Sequence, residues 1–239
     1  MNWLIYGDIM ENHVVESLVE EFENIGEIVY RLPSLRRDHT ISYDIENDVF
    51  ERIQKFIEDK HIDALFNFRA AELTPKTVEM IKSKGIKTFV WFPDDPLLFE
   101  ICYKHIANNY DVTLHCGAKD VLEFYERKLG VKGVLFPFWT NDSHFNYSYN
   151  PYEADIEVGF LGNCVGKAKA DRYDVLAKIP YNTKIFGNLE KGQEDYAKIH
   201  AGVIQDFKDI PKTIQRFKIG INFAQKFTNL QDTKYYFDG

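Results

Sequence analysis

Cysteine is scarce in this chain: three residues in 239, at Cys102, Cys116 and Cys164. An odd number at wide spacing excludes a disulfide framework and any paired-cysteine zinc motif. Basic residues are in deficit, 29 against 37 acidic ones, for a formal net charge of -8. Neutralising a nucleic-acid backbone needs a basic surface, so general nucleic-acid binding is excluded, while a local cleft for one phosphate ligand is not. No apolar run reaches bilayer-spanning length, and the opening MNWLIYGD has no basic region followed by a long apolar stretch. The expectation is a chain without a membrane span, working in the reducing cytoplasm. The histidines show no paired metal spacing, and no GxSxG elbow is present.

Two glycine motifs are missing as well. Gly7-Asp8-Ile9-Met10 has no second or third glycine at the offsets of a dinucleotide fingerprint. Gly162 to Ala168 (GNCVGKA) resembles a P-loop but has three residues between its glycines where four are required. It also has Ala168 where a hydroxyl must reach magnesium, which excludes a P-loop NTPase.

What the chain does have is apolar material, 45% of residues, enough for a sizeable core. Its aromatic share, 15%, fits both a dense core and a sugar or base site. Short apolar runs alternate with amphipathic segments. Predicted strands cover residues 3–6, 27–32, 64–68, 88–92, 112–116 and 133–136. Predicted helices cover 11–24, 45–59, 74–84, 96–107 and 118–129, with Gly26, Gly85 and Gly130 placed to close three of them. Parallel strands need crossovers of about a dozen residues, and helices of this length supply them. The class is therefore α/β, with a parallel Rossmann-like sheet over 1–138. The rhythm breaks over Trp139 to Ala154, read as a linker. A second α/β pattern then runs over 155–239, with about three strands (156–161, 184–186, 219–223) and helices at 167–178 and 211–217. It reads as a partial Rossmann-like domain.

Open parallel sheets bind ligands beyond the carboxyl ends of their strands. Residues at those ends are Gly7 and Asp8, then Arg69 and Glu72, then Asp94 and Asp95 in the segment WFPDDP. In the second domain they are Gly162 and Asn163, then Gly187. Two carboxylates held close raise one pKa and so offer a general base. Asp95 could equally cap a helix with Pro96 at its first position. Consecutive side chains on an extended segment point opposite ways, so joint chelation by Asp94 and Asp95 is awkward and no bound metal is expected. Gly162 either lets backbone approach a diphosphate or serves a turn that needs glycine. Arg69 and Glu72 either face a ligand or pair with each other. His115, at a strand end, reads as packed.

The segments TFVWFPDDP, DVTLHCGAKDVLEFYERKLGVKGVLFPFWTN and DIEVGFLGN, with IFGN (Ile185 to Asn188) and IGINFA (Ile219 to Ala224), resemble the CgeB-like (spore maturation protein) glycosyltransferases. The resemblance spans Ala64 to Phe223. It implies the GT-B architecture of two Rossmann-like domains and transfer of a sugar from a nucleotide diphosphate sugar to a glycan, protein or small-molecule acceptor. No cofactor beyond that substrate is implied. Asp94 and Asp95 would be catalytic, with Arg69, Glu72, Gly7 and Asp8 on the acceptor side. Gly162, Asn163 and Gly187 would lie at the donor phosphates. The family continues past its IGINFA-like strand into a helix bearing Arg and Glu that grips the nucleotide. This sequence ends at DTKYYFDG, so a truncated donor domain is expected. Two other readings stand beside transfer: a non-catalytic nucleotide- or glycan-binding module or partner subunit, and a sugar-nucleotide epimerase of the same architecture.

Overall fold

The structure, a computed structural model, describes residues 1–9, 13–36, 41–69, 71–95, 98–117, 119–140, 142–145, 148–164, 171–188 and 198–223. The chain divides into two compact units, within Met1–Asn141 and Asp142–Leu230.

The first unit carries six parallel strands: β1 (Asn2–Gly7), β2 (Ile28–Pro33), β3 (Ala64–Phe68), β4 (Lys87–Phe92), β5 (Val112–His115) and β6 (Val134–Leu135), in the order β2-β1-β3-β4-β5-β6. Its helices are α1 (His13–Asn24), α2 (Glu46–Asp59), α3 (Pro75–Ser83), the short α4 (Lys104–Ile106) and α5 (Lys119–Leu129). The chain winds outward from β1 to β2, then returns past β1 to β3, so α1 lies on one face and the later helices on the other. The two cores reflect this. Ile5, Phe66 and Trp91 pack with Val15, Leu18 and Val19 of α1. Leu4, Tyr6, Leu65, Val90 and Phe92 pack under α2, α3 and α5. Both faces are covered, which is why β3 is buried at every position and reads as one apolar run. The three helix-closing glycines all have positive φ.

The helix expected over 96–107 departs from plan. Its described part is a π-helical turn, Phe99–Tyr103, then α4 and a 3-10 turn, Ala107–Asn109. The Leu98 carbonyl accepts from both Cys102 N (3.0 Å) and Tyr103 N (3.1 Å). That widened turn lets Phe99, Cys102 and Tyr103 all reach the core. Trp139, read as the start of a linker, packs on Trp91 at 4.6 Å and donates from Nε1 to the Val14 carbonyl at 2.8 Å.

The second unit holds β7 (Ile156–Leu161), β8 (Thr183–Phe186), β9 (His200–Gly202) and β10 (Phe217–Ile221), all parallel, in the order β10-β7-β8-β9. Its described helices are α6 (Asp142–Phe145), α7 (Asp171–Leu176) and α8 (Ile210–Gln215). The expected start of α7 at Lys167 lies outside the described residues. Among the described residues there are four strands where about three were expected. β9 escaped notice because His-Ala-Gly has neither an apolar run nor a β-branched residue, and it is held through backbone pairing with β8. Phe160, Ile185, Tyr173 and Leu176 form the main core on one face, and Ile156, Phe186 and Phe217 a smaller one on the other. The architecture is two Rossmann-like parallel sheets with interspersed helices.

Candidate functional site

Each sheet has one place where successive connections leave in opposite directions, and ligand crevices form there, beyond the strand carboxyl ends. In the first unit it lies between β1 and β3. Pairing sets Gly7 opposite Phe68, Phe68 opposite Trp91, and Phe92 opposite His115. The residues that follow these strands therefore emerge at one edge. A Cβ on Gly7 would sit 2.0 Å from the Phe68 carbonyl oxygen, so glycine is the only residue that lets β1 and β3 close there. Asp8 N then donates to that same carbonyl at 3.3 Å.

Arg69 follows β3 with φ 61°, the single non-glycine residue at positive φ among the described residues. Held backbone strain of this kind concentrates at binding and catalytic sites. Its Nε lies 3.2 Å from Asp94 Oδ2, and both side chains remain about a third exposed, at 31%. The geometry is that of an ion pair rather than a directed hydrogen bond, since no well-aligned donor reaches that oxygen. Gly7, Asp8, Arg69 and Asp94 are thus gathered at the crevice edge.

Glu72 and Asp95 turn inward. Glu72 is buried; its carboxylate accepts from the Tyr6 hydroxyl, from Leu35 N at 2.8 Å and from Arg36 N at 3.0 Å. It ties the chain after β2 to the sheet. Burial, with the adjoining Glu72 carboxylate, pushes the Tyr6 hydroxyl far above its ordinary range. The Asp95 side chain is fully buried: Oδ2 lies 2.6 Å from His115 Nδ1, and Oδ1 accepts from Tyr125 Oη at 2.7 Å. Burial raises its pKa, and the hydrogen bonds from His115 and Tyr125 oppose that rise without cancelling it. His115 Nε2 in turn meets Thr113 Oγ1 at 3.1 Å. Cys116, beside this network, has its thiol pushed up to about 11 by burial.

In the second unit the connections part between β7 and β10, whereas the residues expected from the sequence cluster on the other side of β7, at the end of β8. Gly162 N donates to the Phe186 carbonyl at 2.9 Å, and a Cβ on Gly187 would sit 1.9 Å from the Gly162 carbonyl oxygen. Only glycine at 187 lets the ends of β7 and β8 meet. Asn163 Oδ1 accepts from Asn188 Nδ2 at 2.9 Å, and the Asn163 carbonyl accepts from Arg172 at 2.8 Å. His200 Nε2 lies 2.7 Å from the Gly187 carbonyl. Gly162, Asn163 and Gly187 are therefore contiguous at one strand-end cluster. Sequence reasoning left out His200, because it sits on the unforeseen β9, and Tyr125, whose helical spacing gives only a core signal.

Among the described residues, no group of three His, Cys, Asp or Glu side chains is placed to hold a metal ion. None of their helices is long and apolar enough to cross a membrane.

This arrangement belongs to the GT-B-like class of fold. No family model matches the chain, and no curated protein matches it. Solved structures do. A co-structure of S. aureus MnaA with UDP superposes with a TM-score of 0.55 at 10% identity, covering 92% of this chain and 73% of that one. UDP-GlcNAc 2-epimerase from Neisseria meningitidis, bound to UDP-GlcNAc, gives 0.45 at 11% identity, covering 95% and 73%.

Proposed function

We propose that this protein is a CgeB-like glycosyltransferase of the cytoplasm, moving a sugar from a nucleotide diphosphate sugar to an acceptor, without a metal or other cofactor. The observation that carries the reading is the fold, shared with MnaA in its UDP co-structure, together with a strand-end polar cluster in each unit. Gly162, Asn163 and Gly187 take the donor diphosphate: with no side chain at 162 or 187 the ligand can pack close to the strand ends, whose Gly162 and Gly187 N–H groups are themselves held by the Phe186 and Gly202 carbonyls. Gly7, Asp8, Arg69 and Asp94 face the acceptor. Asp94, about a third exposed, is the group that removes the proton of the attacking hydroxyl, and Arg69 offsets developing negative charge. Asp95 and Glu72 serve from inside, holding the turns that present Asp94 and the chain after β2.

A second reading is a binding module that holds the nucleotide sugar without transfer. The burial of Asp95 and Glu72 favours it, because two of the acidic candidates are already committed to protein groups. UDP release from UDP-GlcNAc in the presence of candidate acceptors separates the two. Transfer predicts turnover that Asp94→Asn lowers about 100-fold or more, the usual range for loss of a general base, with UDP affinity unchanged. UDP affinity without turnover in the wild type sinks the transferase reading in favour of the module.

A further inference from the structure

Asp94 and Asp95 are neighbours in sequence with opposite surroundings. Asp95 has both carboxylate oxygens occupied in the interior, whereas Asp94 is about a third exposed, with its Oδ2 buried beside Arg69. The same turn is gripped at two further points: Cys116 Sγ donates to the Pro93 carbonyl at 2.6 Å, and Leu98 N donates to the Asp94 carbonyl at 3.3 Å.

We propose that His115 and Tyr125 are positioning residues for Asp94: by seizing both oxygens of Asp95 they fix the 93–95 turn and hold the Asp94 carboxylate at Arg69. The inference rests on the reading of Asp94 and Arg69 as the ligand-facing pair. His115 and Tyr125 are themselves fully buried, so neither touches a ligand, and their influence passes through Asp95. Both are rigidly placed. The His115 ring lies 4.3 Å from Tyr125 and 5.3 Å from Phe92, both edge-on, and its Nε2 is engaged by Thr113. Gly133 leaves the ring room, since a Cβ there would lie 2.5 Å from His115 Cδ2. Three elements therefore meet at one carboxylate: β5 supplies His115, α5 supplies Tyr125, and the end of β4 supplies Asp95. Groups locked by packing and hydrogen bonds hold a neighbouring functional side chain within the narrow tolerance that chemistry needs. Arg69, at φ 61°, is a residue whose conformation also depends on its surroundings.

The test is the Arg69 Nε–H cross-peak in a 1H–15N spectrum of the full chain, assigned by its disappearance in Arg69→Lys. In Tyr125→Phe, where the ring still fills its space, and in His115→Ala, the cross-peak is expected to move or be lost to exchange. His115→Asn, which keeps a nitrogen donor near the Nδ1 position, is expected to restore it. Asp111→Asn, at the opposite edge of the sheet, leaves it in place. Should His115→Ala not fold, Tyr125→Phe decides alone. An unchanged cross-peak in folded Tyr125→Phe overturns the inference. The result is separable from the functional reading: a coupled cross-peak in a protein without turnover keeps the positioning role and removes transfer, and turnover with an uncoupled cross-peak does the reverse.

Discussion

At the scale of single residues, the informative fact is how differently the acidic side chains of the strand ends are used. Adjacency of Asp94 and Asp95 was legible in WFPDDP, and so was the expectation that their side chains diverge. Which one turned inward was not legible, because the answer lies with His115 and Tyr125, twenty and thirty residues further on. Long-range hydrogen bonds of this kind leave no trace in local pattern. Glu72 is a parallel case, its partners being Tyr6 and the backbone at 35 and 36. The buried Asp95 also makes a pH prediction. Its folded pKa is raised by burial, so the folded state keeps a proton that the unfolded chain releases above about pH 3.9. Stability from this group therefore falls as pH rises from there through the raised folded value. Asp95→Asn removes that loss. Urea unfolding from about pH 4 to about pH 7 is expected to show the variant gaining stability relative to wild type as pH increases. A difference that stays flat or runs the other way contradicts a raised folded pKa for the buried Asp95.

At the scale of elements, strands and helices with strong periodicity were legible throughout the first unit. β1, β3 and β4 are apolar runs buried on both faces, and Val49 and Ile53 of α2 mark the single buried stripe of an amphipathic helix. Weak elements were not. β9 is three residues long, and the π-helical turn after Leu98 follows from the need to bury Phe99, Cys102 and Tyr103 together, a tertiary demand that helical spacing does not encode. These differences predict a hierarchy of opening. β6 has two residues, each 49% exposed, and pairs only with β5 among the described strands. Amides of β6 are expected to exchange with solvent first. Those of β3 and β4, central and buried, should exchange only on global unfolding of their unit. Native-state hydrogen exchange resolved by residue checks this. Protection of β6 equal to that of β3 would show that the sheet opens as one body.

At the scale of the whole molecule, the α/β class and the two parallel sheets were legible from alternation alone, because a parallel sheet requires its crossovers and the crossovers were visible. The fold matches MnaA at 10% identity, far below what individual residues could carry, so chemistry must be argued from the strand ends rather than inherited. The central claim is that the cluster at Gly162, Asn163 and Gly187 receives a nucleotide diphosphate. It is tested most directly by thermal unfolding of wild type and Asn163→Ala against rising UDP, with inorganic phosphate as the control anion. A ligand that binds only the folded state stabilises it by about 2.7 kcal/mol at one hundred times its Kd. Expected are a saturable rise in Tm with UDP, a smaller rise in Asn163→Ala at equal UDP, and little response to phosphate. A wild-type Tm that does not move at millimolar UDP would contradict the claim.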